Sequence, residues 1–388
     1  LGDDVRETPG RVRPPIYLDY QATTPVAPEV AAAMRPWIET NFANPHSPSR
    51  RGREAAAAIE VARGRVAAAL GASAPAGKPY FTSGATEAIN WALKGAAARL
   101  PADRRHIVTL ATEHAAVLDT VEWLGAQGFE VDILRVDLDG VAMLEPLAQR
   151  IGAGTGLVAA MLVNNEIGVI QPVAEIAAIA HRHGALFLCD AVQGFGRVPL
   201  PLESCDMAAI SAHKVHGPKG IGALWVRDGV EIDPLLHGGG QEGGLRSGTL
   251  SPALCVGFGE AARLLEERRE ADKAHVERLW SLALEHMPGW SLNSFTEERY
   301  KGNLSFTRPG VDAARLISEV RQVAFSAGSA CASGSGRPSH VLSALRLSDR
   351  DIRSTIRLGF GRYTTEAELI EALTLINAAA NRQLDFVQ

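Results

Sequence analysis

Gly156-Leu157-Val158-Ala159-Ala160-Met161-Leu162-Val163 is a short apolar run. A helix-periodic stretch over 173–181 follows it, and then a second apolar run, Ala185-Leu186-Phe187-Leu188. Apolar runs without polar alternation are strands covered on both faces, and the strand, helix, strand succession sets them parallel. Gly184 comes directly after His181, Arg182 and His183, which reads as a glycine stop with cationic residues in the last helical turn. The two histidines are accordingly read as a helix end and not as metal ligands. This stretch predicts an α/β fold with a mainly parallel sheet.

Working outward, a long charged amphipathic helix over 253–285 leaves the first unit and leads into a smaller α+β unit. That unit is expected to contain an extended run over 303–307, a helix over 312–321, a strand over 323–326, a strand over 355–358 and a helix over 366–383. The predicted division is an N-terminal arm (1–25), a large domain (26–251) and a small C-terminal domain (252–388) carrying a Gly/Ser-rich loop at 327–337. The alanine-rich helix over 55–69 needs only high helix propensity to explain it.

With 388 residues, 46% of them hydrophobic, the chain has enough apolar side chains for a large core. A formal net charge of −5 gives no electrostatic footprint for nucleic acid or an anionic membrane. No apolar stretch approaches the roughly 20 residues of a membrane span. The mixed acids, arginines and prolines of 1–13 do not resemble a secretory signal, so a cytoplasmic location is expected. The four cysteines, Cys189, Cys205, Cys255 and Cys331, form no C-x-x-C pair, so reduced thiols are expected. Three of them lie in apolar segments. Cys331 does not.

Three segments carry chemistry. In Phe81-Thr82-Ser83-Gly84-Ala85-Thr86-Glu87 an extended segment breaks at glycine where a helix begins, and the free amides and dipole of a helix start suit a phosphate. By itself the segment is equally a capped helix. Leu186-Phe187-Leu188-Cys189-Asp190-Ala191-Val192-Gln193 ends an apolar strand on an acid, at the end where open α/β sheets bind ligands. By itself Asp190 is equally a turn residue. Ser211-Ala212-His213-Lys214 follows another apolar run and places one of only six lysines at a strand end beside hydroxyl and imidazole groups. Such a lysine suits Schiff-base chemistry. The combination matches the needs of pyridoxal 5'-phosphate (PLP): an anchored phosphate, a carboxylate for the ring nitrogen and an amine for the aldehyde.

The whole chain resembles the cysteine desulfurases, fold-type I PLP-dependent transferases of the aminotransferase class V branch. The resemblance is carried by Leu18-Asp19-Tyr20-Gln21-Ala22-Thr23-Thr24-Pro25, Phe81 to Glu87, Thr112-Glu113-His114 and Val163-Asn164-Asn165-Glu166-Ile167-Gly168. It continues through Ser211 to Gly220, Arg246-Ser247-Gly248-Thr249, Gly328-Ser329-Ala330-Cys331 and Ile356-Arg357-Leu358-Gly359. The resemblance implies that Lys214 holds PLP as an imine, Asp190 pairs with the ring nitrogen and His114 stacks on the ring. It places Gln193 and Asn165 near the ring oxygen and substrate. Ala85, Thr86, Ser211 and His213 would bind the phosphate. Thr249 would reach the phosphate of a second subunit, implying a homodimer, and Arg357 would bind the substrate carboxylate.

Cys331 matches the family's sulfur-accepting cysteine, in a loop whose three glycines would let it move and expose the thiol. The small residues around it fit the long-loop group that serves iron-sulfur cluster assembly and thiolation, which implies a sulfur-acceptor or iron-sulfur scaffold protein as partner. The implied reaction takes sulfur from L-cysteine, leaving L-alanine and a persulfide on Cys331, with the freed Lys214 amine moving the α-proton and His114 assisting. The rivals are selenocysteine lyase or another PLP-dependent C–S lyase, and a non-catalytic assembly scaffold. Three positions depart from the family pattern: Val192 before the glutamine, His216 in place of tyrosine, and Gly243 where arginine usually follows Gln241-Glu242.

Overall fold

The computed structural model describes residues 14–71, 76–328 and 338–385. Its centre is a seven-stranded sheet with the spatial order Gly77–Thr82, Gly222–Arg227, Met207–Ser211, Leu186–Asp190, Thr155–Met161, His106–Leu110 and Glu130–Leu134. The last five strands run parallel, and Gly222–Arg227 is antiparallel to both of its neighbours.

The unbroken apolar runs are explained by helices on both faces. Val158, Ala160, Phe187, Cys189, Ala208 and Ile210 pack on one side with Ile59, Val66, Ile176 and Phe258 from helices Arg50–Leu70, Val173–Arg182 and Pro252–Glu285. The alternate residues Leu157, Ala159, Leu188, Met207 and Ala209 face helices Ala85–Arg99 and Ala115–Ala126. With a side-chain period of two, a strand buried on both sides must be apolar at every position. Helix Val173–Arg182 ends before Gly184, whose φ of +70° is the left-handed conformation glycine adopts without a Cβ penalty. His181 there meets Asp206 at 2.8 Å.

Helix Pro252–Glu285 is capped by the Ser251 side chain and has proline at its first position. Its far end packs in a second core, where Leu279 and Trp280 meet Leu304, Phe306, Leu358 and the helix Glu366–Asp385. An antiparallel sheet there pairs Ser291–Leu292 with Asn303–Thr307 and the latter with Thr355–Gly359. The N-terminal strand Ile16–Tyr17 pairs with Val323–Ala324, and Leu18 is fully buried in this second core. The expected helix over 312–321 spans Ala313–Glu319 with Asp312 as its cap. The expected strand over 323–326 is shorter, because after Ala324 only Ser326 returns to pair, with Arg357.

Candidate functional site

Three backbone turns meet at the ends of these strands. Ser211 and Thr82 both pair with Gly222, so the lysine turn and the start of helix Ala85–Arg99 flank one glycine. A Cβ at Gly222 would lie 2.6 Å from the Ile210 carbonyl and 2.8 Å from Gly84 C, so the close approach requires glycine. The third turn belongs to the Leu18–Pro25 motif. Thr24 donates its N–H and hydroxyl to the His213 carbonyl at 2.9 and 3.0 Å, and its hydroxyl accepts from His216 N at 2.7 Å. Thr23 Oγ1 lies 3.1 Å from His213 Nδ1.

A cavity of about 1080 Å³ opens at this junction. Its walls include Ala85, Thr86, His114, Asn165, Asp190, Gln193, Ser211, His213, Lys214 and Arg357. The structure thus brings together every expected site residue except two. Thr249 is exposed and outside the cavity lining. Cys331 lies outside the described residues.

Lys214 Nζ donates to the carbonyl oxygens of Gln21 and Ala22, the latter at 2.8 Å. Desolvation lowers its pKa to about 8, reinforced by the Arg197 and Arg357 charges and opposed by Asp19 and Asp190. The Asp190 carboxyl accepts from Val192 N at 3.0 Å, but burial raises its pKa despite the pull of His114 and Lys214. His114 caps helix Ala115–Ala126 by accepting the Ala116 N–H on Nδ1 at 3.0 Å, which leaves the ring proton on Nε2. Burial holds its pKa below the usual histidine value, so the ring is neutral.

Two observations test the fit of a phosphate and a carboxylate. Ser211 Oγ is buried without a protein hydrogen-bond partner, beside the first turn of helix Ala85–Arg99. Arg357 is 1% exposed, its Nε is likewise unpartnered, Nη2 pairs with Asp19 at 2.7 Å, and Nη1 donates to Asn165 O at 3.1 Å. The helix start, the hydroxyls of Thr86 and Ser211 and the amine of Lys214 fit the phosphate and aldehyde of PLP.

Several contributors escaped the sequence reading. Gln21, Thr23 and Asp19 lie in the quoted Leu18–Pro25 motif but had no role assigned. Glu113 is buried beneath the site, and desolvation pushes its carboxyl well above the usual range, against its bond from Met161 N and with Asp190 adding to the rise. Arg197 follows Gln193 by four residues, a spacing that suggests a side-chain pair.

Gly243 has a structural correlate. Glu242, Gly243 and Gly244 have φ of +53°, +68° and +86°, a turn that bears a side chain at 243 only with strain. The turn is pinned from below, where Glu242 takes two 2.7 Å bonds from the Arg63 guanidinium and one from Phe81 N at 3.1 Å. Arg246 pairs with Glu87 at 2.7 Å, tying the Thr249 segment to the helix start. His216 has φ of +65°, and its Nδ1 meets Pro25 O at 3.0 Å.

The family model for aminotransferase class-V matches residues 16–373, and the chain belongs to that family. Its α/β architecture is that of the fold-type I PLP enzymes. Among relatives it is 45% identical over 380 residues to "Cysteine desulfurase IscS" of Rickettsia bellii (strain OSU 85-389), covering 96% of this chain and 92% of that one. A solved "NifS-like protein" superposes with a TM-score of 0.88 at 36% identity, covering 95% of this chain and all of the other. The structure described as "SspA in complex with cysteine" has a TM-score of 0.79 at 36% identity, covering 90% and 99%.

Proposed function

We propose that this chain is a cysteine desulfurase that takes sulfur from L-cysteine using PLP held by Lys214. The observation that carries the reading is the convergence of Lys214, Asp190, His114, Thr86, Ser211 and Arg357 on one cavity. When bound, PLP supplies an aldehyde for imine formation and a ring that accepts an electron pair.

The remaining work belongs to the chain. The helix start, Thr86, Ser211 and His213 would hold the phosphate, and the neutral His114 would lie against the cofactor ring. Asp190 would pair with a ring cation, whose opposite charge would offset the desolvation that raises the pKa of this carboxyl. Gln193 and Asn165 hold polar atoms at the ring oxygen and substrate. Arg357 grips the L-cysteine carboxylate, for which its unpartnered Nε is available. With a pKa near 8, Lys214 can be a neutral amine near neutrality and so can carry the α-proton when freed. The Cys331 thiolate takes the substrate sulfur as a persulfide and L-alanine leaves. The exposed Thr249 supports a homodimer in which it completes a second copy's phosphate site. The persulfide would pass to a sulfur acceptor or iron-sulfur scaffold protein.

The test is to incubate the protein with PLP and L-cysteine, measuring alanine, sulfide and protein persulfide. Equal release of alanine and of sulfur as persulfide or sulfide supports the reading. Lys214→Ala should lose borohydride-fixable cofactor. Cys331→Ser should keep the spectral response to L-cysteine but form no persulfide, since serine has no sulfur. Unchanged alanine production by Cys331→Ser would transfer the assignment to a C–S lyase.

A further inference from the structure

Arg197 lies behind the site and not in it. It lines a separate cavity of about 550 Å³, while Gln193 lines the larger one and Lys214 borders both. Its guanidinium donates from Nη1 to Gln193 Oε1 and from Nη2 to the Lys214 carbonyl at 2.6 Å, and it sits over the Tyr300 ring at 5.1 Å. No ion pair to Arg197 is found among the described residues, and desolvation lowers its pKa.

An arginine offers only donors, whereas a primary amide has an acceptor end and a donor end. With Gln193 Oε1 against the guanidinium, only the NH2 end can face forward. One of its protons goes to Gln21 O at 2.9 Å, and the other is left for a ligand oxygen. Reversing the amide would set N–H against N–H and leave donors unsatisfied. The same guanidinium fixes the carbonyl of Lys214, so the amide and the backbone of the lysine turn are held by one group.

We infer that Arg197 is a positioning residue that locks the Gln193 amide with its NH2 end toward the oxygen on the cofactor ring, while anchoring the lysine turn. This rests on the PLP reading above. A donor held at that oxygen makes it less basic and so lowers the pH at which the lysine-bound cofactor loses its proton. The other charges facing Lys214 are Arg357, Asp19 and Asp190, with His114 and His213 at its flanks. A direct effect of the Arg197 charge acts in the same direction, so the two must be separated.

The experiment is a double-mutant cycle on PLP-loaded protein, reading the pH midpoint of the visible absorption change. Arg197→Met should raise the midpoint by about one pH unit. In a Gln193→Ala background the same substitution should move it less than half as far, because the amide it orients is gone. Should Arg197→Met not fold, Arg197→Lys enters the same cycle; it keeps the charge but cannot reach both acceptors with a planar fork, so its shift should vanish in the Gln193→Ala background. Equal shifts in both backgrounds, or none, would overturn the positioning role. A wild-type protein with no lysine-bound absorption overturns the PLP reading and this inference with it, whereas a normal wild-type spectrum with additive shifts overturns the inference alone.

Discussion

Two guanidinium groups flank Lys214, and they are accommodated in opposite ways. Arg357 is buried with a carboxylate, Asp19, at 2.7 Å. Arg197 is held by an amide, a carbonyl and an aromatic face, without an ion pair among the described residues. Arg357 reaches the ligand cavity and can share its charge between Asp19 and an incoming carboxylate. Arg197 lines only the neighbouring cavity and acts as a fixed positive charge on the scaffold. Under the proposed function, the difference would separate a group that responds to substrate from one that sets the conditions under which the lysine works.

The largest effect that would break this comparison is on substrate recognition. Arg357→Ala should raise KM for L-cysteine about 100-fold, the loss of two hydrogen bonds to a charged group, with cofactor binding nearly unchanged. An unaltered KM would mean that the substrate carboxylate docks elsewhere. Next comes stability. Asp19→Asn leaves Arg357 as a buried cation without its counter-charge and should cost about 3 kcal/mol in urea unfolding of the apoprotein. Arg197→Met removes a cation that has no counter-charge among the described residues, with two neutral hydrogen bonds, and should cost only about 1 kcal/mol. Equal losses would erase the distinction.

The smallest effect concerns Lys214 itself. The neutral amine is the form that attacks an aldehyde, so the rate at which apoprotein captures PLP should rise with pH and level off above about 8, the lowered pKa of this amine. A rate still climbing toward pH 10.5, the ordinary lysine value, would mean that burial and the two arginines do not depress it.

The parts of the site that were legible in the sequence lie at the ends of parallel strands. Asp190 and Lys214 each terminate an apolar run, and a polar group at the end of such a run is conspicuous. Arg357 is different. It sits in the middle of a five-residue strand, Thr355–Gly359, where nothing local distinguishes it from a surface arginine. It is buried because Asp19, 338 positions away, meets it, and no pattern within a strand reports so distant a contact. The role proposed for it came only from the family resemblance. Arg197 was hidden for another reason: its partners are backbone and amide oxygens, and only its four-residue spacing from Gln193 hints at them. The sheet was legible from apolar runs because both of its faces are covered. The one antiparallel strand, Gly222–Arg227, was not, since strand direction is fixed by the connections and not by the apolar pattern of the strand.

That strand gives Gly222 a role beyond its lack of a side chain. Because it pairs with Thr82 on one side and Ser211 on the other, the width of one backbone separates the start of helix Ala85–Arg99 from the lysine turn. The sheet acts there as a calliper whose opening is one residue wide. Enlarging residue 222 would reset the gauge while leaving the identity of every cavity side chain unchanged, so a chain with an intact list of candidate residues should still lose the spacing on which the proposed site depends.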